Sequence, residues 1–274
     1  MMYAFFMSIE FSSAKPLHKH EKLKEGVPAF SVVIPAHNEE DTIEELLYLL
    51  LQEVQNDDLN CEILVSDSAS SDKTAEVVRQ FIEYHPGFHI YLISSPKGVS
   101  QARNNGATHA QNDYVFFLDA DTRFAPGFLK KSMKEFVQRD LDAAGFDFVP
   151  STQDHAEKIM LGINNLVQDV LQHSKKPLVT GAALIAKKSS HEQAGGFPTD
   201  MTVFEDSEWA RRIAAEGKFG ILKPKAIFET SRFHHRKLEF IGAQLKNAVH
   251  FALHGEIHQS MKNEYKKDRK GRDV

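Results

Sequence analysis

The sequence predicts an α/β fold: a doubly wound, mostly parallel sheet with helices on both faces. The first supporting observation is that apolar runs suited to buried parallel strands recur four times before residue 120. The second is that a helix is expected after each of these four strands, the first of them with a clear apolar face. The third is the absence of any internal repeat or Gly/Ser-rich linker, which favours one domain with a specialised second half.

Each element has a local cause. Residues 30–34 (FSVVI) form a continuous apolar run closed by Pro35, and Ile43, Leu46, Leu47, Leu50, Leu51 and Val54 then repeat at helical spacing. Residues 62–65 (EILV) read as a second strand, after which Asp72 caps a helix carrying Val78, Phe81 and Ile82. A third strand is expected over 89–93 with a helix over 99–110, and a fourth strand over 114–118. The next helix begins near Pro126, a residue suited to a first turn.

Beyond Ala143 the alternation loosens. Strands are expected over 143–149 and 178–186, with a helix over 156–172 carrying Ile159, Ile163, Val167 and Leu171 between them. A helix over 202–216 is stopped by Gly217, and two short strands follow near 219–222 and 227–229. The basic, aromatic loop SRFHHRK leads to a last amphipathic helix with Leu238, Ile241, Leu245, Ala248 and Phe251 on one face. The expected division is an extension over 1–26, a domain over 27–235 with halves 27–121 and 122–235, a C-terminal helix over 236–260, and a basic disordered tail over 261–274.

Composition excludes some classes. With 38 acidic and 33 basic residues the net charge is -5, so there is no global nucleic-acid footprint. The single cysteine, Cys61, rules out an intramolecular disulfide framework and fits a reducing compartment. No apolar run approaches the roughly 18–20 residues that span a bilayer. The opening MMYAFFM has no basic n-region and no small-residue cleavage site, so the expected location is cytoplasmic.

Chemistry concentrates in four segments that this fold brings to one sheet edge. They are Pro35-Ala36-His37-Asn38-Glu39-Glu40, the stretch from Ser66 to Thr74, Asp119-Ala120-Asp121, and Gly195-Gly196-Phe197 with Phe204-Glu205-Asp206 beyond it. Ligands of open α/β sheets bind at the carboxyl ends of the strands. Two carboxylates spaced i, i+2 at such an end suit a hard divalent cation. Taken alone, Asp-Ala-Asp also reads as a polar turn, His37 and Asn38 as turn residues, and Glu205-Asp206 as a favourable helix N-terminus.

Together these segments resemble the family 2 glycosyltransferases, inverting nucleotide-sugar enzymes of the GT-A fold. VVIPAHNEE resembles the family's opening strand and loop, and LVSDSASSDKT its V-D-D-G-S-x-D-x-T. GVSQARNNGA resembles the G-x-x-x-A-R-N-x-G helix start, DAD the DXD metal motif, and GGF followed by ED the acceptor-side signature. The chain departs at Ser68, where the family usually has a second Asp.

The resemblance implies a glycosyltransferase of the hexosyltransferase type that moves one sugar from a UDP- or GDP-sugar to an acceptor hydroxyl. Pro35, His37, Glu39 and Asp67 then stand at the nucleotide, Asp67 being an acceptor for a base N–H. Lys97 and Arg103 border the donor, where either meets a phosphate or is a surface charge. Asp119, Ala120 and Asp121 hold the donor, and Asp119 and Asp121 hold Mg²⁺ or Mn²⁺ on the diphosphate. Asp206 is the general base, with Glu205 beside it. His234 or His235 in SRFHHRK is a candidate further metal ligand. The processive Q-x-x-R-W motif is missing after Glu205-Asp206, so single addition is expected. Trp209 either stacks on an acceptor or packs in the core.

The expected partners are the nucleotide sugar and a saccharide or lipid-linked acceptor. The C-terminal helix leaves open packing on the domain, a homodimer, or peripheral contact with the inner face of a membrane. Two competing readings are a sugar-phosphate nucleotidyltransferase, which would carry a Gly-rich signature after the first strand, and an inactive nucleotide-sugar-binding protein.

Overall fold

The structure is a computed structural model and describes residues 26–201 and 203–228. In chain order the strands are β1 (Phe30–Ala36), β2 (Cys61–Asp67), β3 (Ile90–Ser94), β4 (Tyr114–Leu118), β5 (Arg123–Phe124), β6 (Ala143–Pro150), β7 (Ala183–Lys187) and β8 (Phe219–Phe228). The helices are α1 (Ile43–Asp57), α2 (Thr74–Tyr84), α3 (Val99–His109), α4 (Phe128–Gln138), α5 (His155–Leu171), α6 (Lys188–Gln193) and α7 (Glu205–Glu216). The expected late loop with His234 and His235, the helix from Leu238, the tail and the extension up to residue 25 lie outside the described residues. Among the described residues no helix is long and apolar enough to cross a membrane.

One sheet has the order β3-β2-β1-β4-β7-β6-β8-β5. β1, β2, β3 and β4 run parallel, β7 is antiparallel to both β4 and β6, and β6 and β8 run parallel. The carboxyl ends of β1, β2 and β4 therefore share one edge. The antiparallel β7 begins at that same edge, with Ala183 opposite Leu118. This inserts residues 180–182 among the strand ends.

Strand alternation divides the core between the two faces. Val32 and Ile34 pack with Leu46, Leu47 and Leu50 of α1, Val78 and Phe81 of α2, and Leu129, Met133 and Phe136 of α4. Val33 and Phe117 face the other way, toward Ala107 of α3 and Trp209, Ala210 and Ile213 of α7. Each fully buried Leu or Phe contributes about 1.5–3 kcal/mol relative to exposure. α4 begins at Phe128, two residues after the expected Pro126, because its first N–H groups are capped from another helix. Buried Glu53 of α1 accepts from Gly127 N at 2.5 Å and Leu129 N at 3.0 Å.

Several boundaries differ from those the sequence predicts, each for a physical reason. β1 runs through Pro35 to Ala36, the ring occupying a position paired with Ser66. The expected strand over 178–186 shortens to β7, because side chains take the backbone groups of residues 178–182. Val179 N donates to Ser207 Oγ at 3.1 Å and Thr180 N to Gln168 Oε1 at 3.0 Å. The two short strands expected after Gly217 are one, β8, whose register against β6 jumps from Phe146↔Leu222 to Asp147↔Lys225. Pro224, which has no N–H, falls inside that bulge. β5 and α6 are too short to leave a periodic signal.

α3 approaches β1 closely at Gly106, where an added Cβ would meet Val33 Cγ1 at 2.2 Å. Gly106→Ala is therefore expected to destabilise the protein in urea unfolding by about 1–3 kcal/mol, despite Ala's better helix propensity. Adding Val33→Ala should recover part of that loss, because it removes the colliding methyls.

Candidate functional site

The first two loops at the carboxyl edge are knitted into one platform. Asn38, at φ 56°, accepts at Oδ1 from Ser71 N at 2.8 Å, while its own N donates to Ser70 Oγ at 3.0 Å. Glu39 N donates to Thr74 Oγ1 at 2.8 Å, and Glu40 N to Asp72 Oδ2 at 3.1 Å. Thr42 Oγ1 donates to the Glu39 carboxylate. Asn38 is thus turn chemistry, and Glu39 helps join the two loops.

His37 and Asp67 are both half-buried in this platform. His37 Nδ1–H donates to Ser68 O at 2.7 Å, the carbonyl acceptor fixing that tautomer. His37 Nε2 is buried and has no partner among the described residues. Asp67, the last residue of β2, accepts from Ser70 N at 3.3 Å. Ser68 has a role that a carboxylate would not fill. Its hydroxyl donates to Pro96 O at 3.2 Å and accepts from Gly98 N at 2.8 Å, tying the loop after β2 to the loop after β3. Lys97 in that second loop is exposed.

The second cluster centres on Arg103 of α3, whose side chain is only 3% exposed. Its Nη2 donates to Asp119 Oδ1 at 2.8 Å and to Gly181 O at 3.1 Å, while Nη1 meets Glu205 Oε1 at 3.3 Å. The guanidinium carbon lies 5.2 Å from the centroid of the Phe197 ring. Burial opposes its charge, but Asp119 and then Glu205 more than restore it, so Arg103 titrates above its ordinary value. Arg103 is therefore engaged with the site's own carboxylates rather than lying on the surface. Asp119 N and Thr122 Oγ1 both donate to Ala182 O, at 3.0 and 2.7 Å, which seats the DAD turn on residues 180–182. Ala120 is buried and Asp121 half-buried.

Asp206 sits in the first turn of α7, half-buried beside the same guanidinium. Its Oδ1 accepts from Ser207 N at 2.6 Å. Burial, then the charge of Glu205, raise its carboxyl to about 7, against the pull of Arg103 and the N–H groups of Ser207 and Gly181. Phe204, just before the helix, holds φ 59°, a conformation rare for an aromatic residue.

Two contributors left only a weak trace in the sequence. A Cβ at Gly181 would lie 2.9 Å from Asp206 Oδ2 and 3.0 Å from Arg103 Nη2, so only glycine lets the two approach. Asn104 clamps the GGF segment: Nδ2 donates to Phe197 O and Phe197 N to Oδ1, both at 2.8 Å. The adjacent Arg103-Asn104 pair therefore ties the carboxylate cluster to GGF. Trp209 is fully buried, stacked on Phe197 at 4.7 Å, with its indole N–H donating to His191 Nδ1 at 3.0 Å. That acceptor requires neutral His191, and burial lowers the imidazole to about 4. Trp209 is a core residue and does not face an acceptor. Among the described residues no group of three His, Cys, Asp or Glu side chains forms a metal site.

A raised carboxyl pKa has a thermodynamic sign. Between the ordinary value and about 7 the folded state holds more protons at Asp206 than the unfolded chain does, so this group's contribution falls as pH rises. Asp206→Asn should therefore gain stability relative to the parent between pH 4 and pH 8, measured by urea unfolding across that range.

Comparison with known proteins agrees with this arrangement. The model of the family described as glycosyl transferase family 2 matches residues 31–199, more than half of the chain. The glycosyltransferase AglE of Haloferax volcanii is 25% identical over 194 residues, covering 70% of this chain and 63% of that protein. An undecaprenyl-phosphate 4-deoxy-4-formamido-L-arabinose transferase of Edwardsiella ictaluri is 28% identical over 217 residues, with 70% and 63% covered. The chain thus spans less than two thirds of the length of these relatives.

Among solved structures, the mannosyltransferase PcManGT of Pyrobaculum calidifontis, in complex with GDP-Man and Mn²⁺, superposes with a TM-score of 0.64 at 25% identity. That match covers 82% of this chain and 65% of that one. TarS of S. aureus, in complex with UDP-GlcNAc, shares the fold alone: TM-score 0.58, 17% identity, 74% and 58% covered. The chain belongs to the family 2 glycosyltransferases and has the GT-A fold.

Proposed function

We propose that the enzyme moves one sugar from a nucleoside-diphosphate sugar to an acceptor with inversion, Asp206 acting as general base. The observation that carries this reading is that the Arg103 guanidinium bonds both Asp119 of the DAD turn and Glu205, the neighbour of Asp206 in the first turn of α7. A proton acceptor and the donor-side turn are thereby held on one charged bridge. A base is most effective when its pKa lies near the working pH, and Asp206 is raised to about 7.

In this reading Asp67 and His37 face the nucleotide base, and the unpartnered His37 Nε2 is an acceptor for a ligand N–H or O–H. Asp206 takes the acceptor proton as the acceptor oxygen bonds to the anomeric carbon, and the bond from that carbon to the β-phosphate oxygen breaks. Glu205 ties the first turn of α7 to Arg103, and Asp206 accepts from Ser207 N in that turn. Asp119 and Asp121 supply hard carboxylate oxygens, a donor set that fits Mg²⁺ or Mn²⁺. A divalent cation there would offset the charge of the departing nucleoside diphosphate. The Mn²⁺ and GDP-Man named with PcManGT support a divalent metal and a nucleotide-sugar donor such as a GDP-sugar. The undecaprenyl phosphate in the name of the Edwardsiella relative supports trying lipid-linked acceptors beside saccharides.

A thermal-shift panel of UDP- and GDP-sugars, with and without Mn²⁺, tests the donor assignment, since a ligand of the native state raises Tm by mass action. Asp206→Asn should keep the metal-dependent shift and lower kcat by at least about 10³-fold, within the range for loss of a proton-transfer group. Asp121→Ala should lose the shift itself. Full transfer by Asp206→Asn would refute the base assignment. In the parent enzyme, kcat/KM should fall about tenfold per pH unit below about 7, as the carboxylate is protonated.

A further inference from the structure

Helix α5 packs onto β6 through a polar seam. Gln168 is buried and donates from Nε2 to Phe146 O at 3.3 Å. Asn165 accepts from Phe148 N at 3.0 Å and donates to Phe148 O at 2.8 Å. Leu161 is a buried apolar residue of this face. The outward face is the apolar one: Ile159, Ile163, Leu166 and Val170 are 64, 38, 63 and 65% exposed. Their spacing of i, i+4, i+7 and i+11 aligns them in one stripe about 17 Å long. Single exposed apolar side chains are ordinary, but four in line mark a surface that something covers.

The chain path indicates what covers it. β8 ends at Phe228, whose carbonyl accepts from Ser151 N at 3.1 Å, just before α5 begins at His155. β8 therefore ends beside the start of α5, whereas β1 begins at the opposite edge of the sheet. The sequence beyond Phe228 carries Leu238, Ile241, Leu245, Ala248 and Phe251 at helical spacing. As a helix, residues 238–251 would run for about 20 Å, close to the length of the stripe. The intervening residues reach about 33 Å when extended, enough to arrive at either end of it.

We infer that residues 238–251 of the same chain dock on α5 and cover Ile159, Ile163, Leu166 and Val170. The consequence reaches the site. Asn164 Nδ2 donates to Thr180 Oγ1 at 3.4 Å and Gln168 Oε1 accepts from Thr180 N at 3.0 Å, one residue from the Gly181 carbonyl that holds Arg103. Docking on α5 therefore braces the wall formed by residues 180–182.

Disulfide trapping in the full chain tests this. Leu166→Cys and Leu245→Cys lie near the middles of the two stripes, so their pairing does not depend on the direction of docking. The native Cys61 is buried, and burial pushes its thiol up, so it does not compete. Mild oxidation should close an intramolecular bond, read as a faster, reductant-sensitive monomer band. A Tyr84→Cys/Leu245→Cys control, with Tyr84 78% exposed on α2, should not close. As a second measurement, Leu245→Asp in the full chain should speed amide hydrogen exchange across α5 about tenfold or more. Bonds formed only between chains would overturn the inference in favour of a second copy. Failure to close, with co-sedimentation on phosphatidylglycerol vesicles abolished by Leu166→Asp, would overturn it in favour of a lipid surface. Failure to close with α5 exchange unchanged in Leu245→Asp would overturn it outright.

Discussion

The buried guanidinium of Arg103 joins parts of the chain that are far apart in sequence. It lies on α3, yet it bonds Asp119 at the end of β4, the Gly181 carbonyl before β7 and Glu205 at the start of α7. A charge this buried is tolerated only when its partners are in place, and removing one partner of such a bridge typically costs about 3–5 kcal/mol. The end of β4, the segment before β7 and the start of α7 are thus locked together at the candidate site. The same bridge explains why Gly181 has no side chain, since a Cβ would press on both Arg103 and Asp206.

Around this bridge the two faces of the sheet have different duties. The face bearing α1, α2 and α4 is a broad aliphatic and aromatic core. The face bearing α3 and α7 is smaller and aromatic, with Phe117, Phe197 and Trp209 in mutual contact and neutral His191 completing the indole hydrogen bond. That aromatic block stands directly behind Arg103 and the first turn of α7. Asp206 is consequently presented by a rigid support rather than by a free loop, as the proposed role of general base would require.

The platform formed by the loops after β1 and β2 achieves rigidity by different means. No large apolar side chain anchors residues 37–40; the loop is held by side-chain hydrogen bonds exchanged with residues 68–74. Ser68 extends that network to the loop after β3. The departure from the family pattern at Ser68 therefore has a local explanation in hydrogen-bond capacity: a hydroxyl both donates and accepts, and an ionised carboxylate only accepts.

From the sequence alone, the parallel strands β1 to β4, the helices between them and the edge that gathers the polar segments were legible. Each of those signals is local: a hydrophobic period, a cap or a strand-ending carboxylate lies within a few residues of its neighbours. Other features were decided only by tertiary structure. Residues 178–182 look like strand but give their backbone groups to Ser207, Gln168, Arg103 and Asp119, partners supplied from elsewhere in the fold. α5 was legible as a helix, but its orientation was not: the polar Asn165 and Gln168 face the sheet, while Ile159 and Ile163 face outward. Arg103 was marked in the sequence by its place in GVSQARNNGA, but its burial was not. Its burial depends on Asp119, 16 residues away, and Glu205, 102 residues away, which only the folded chain brings together.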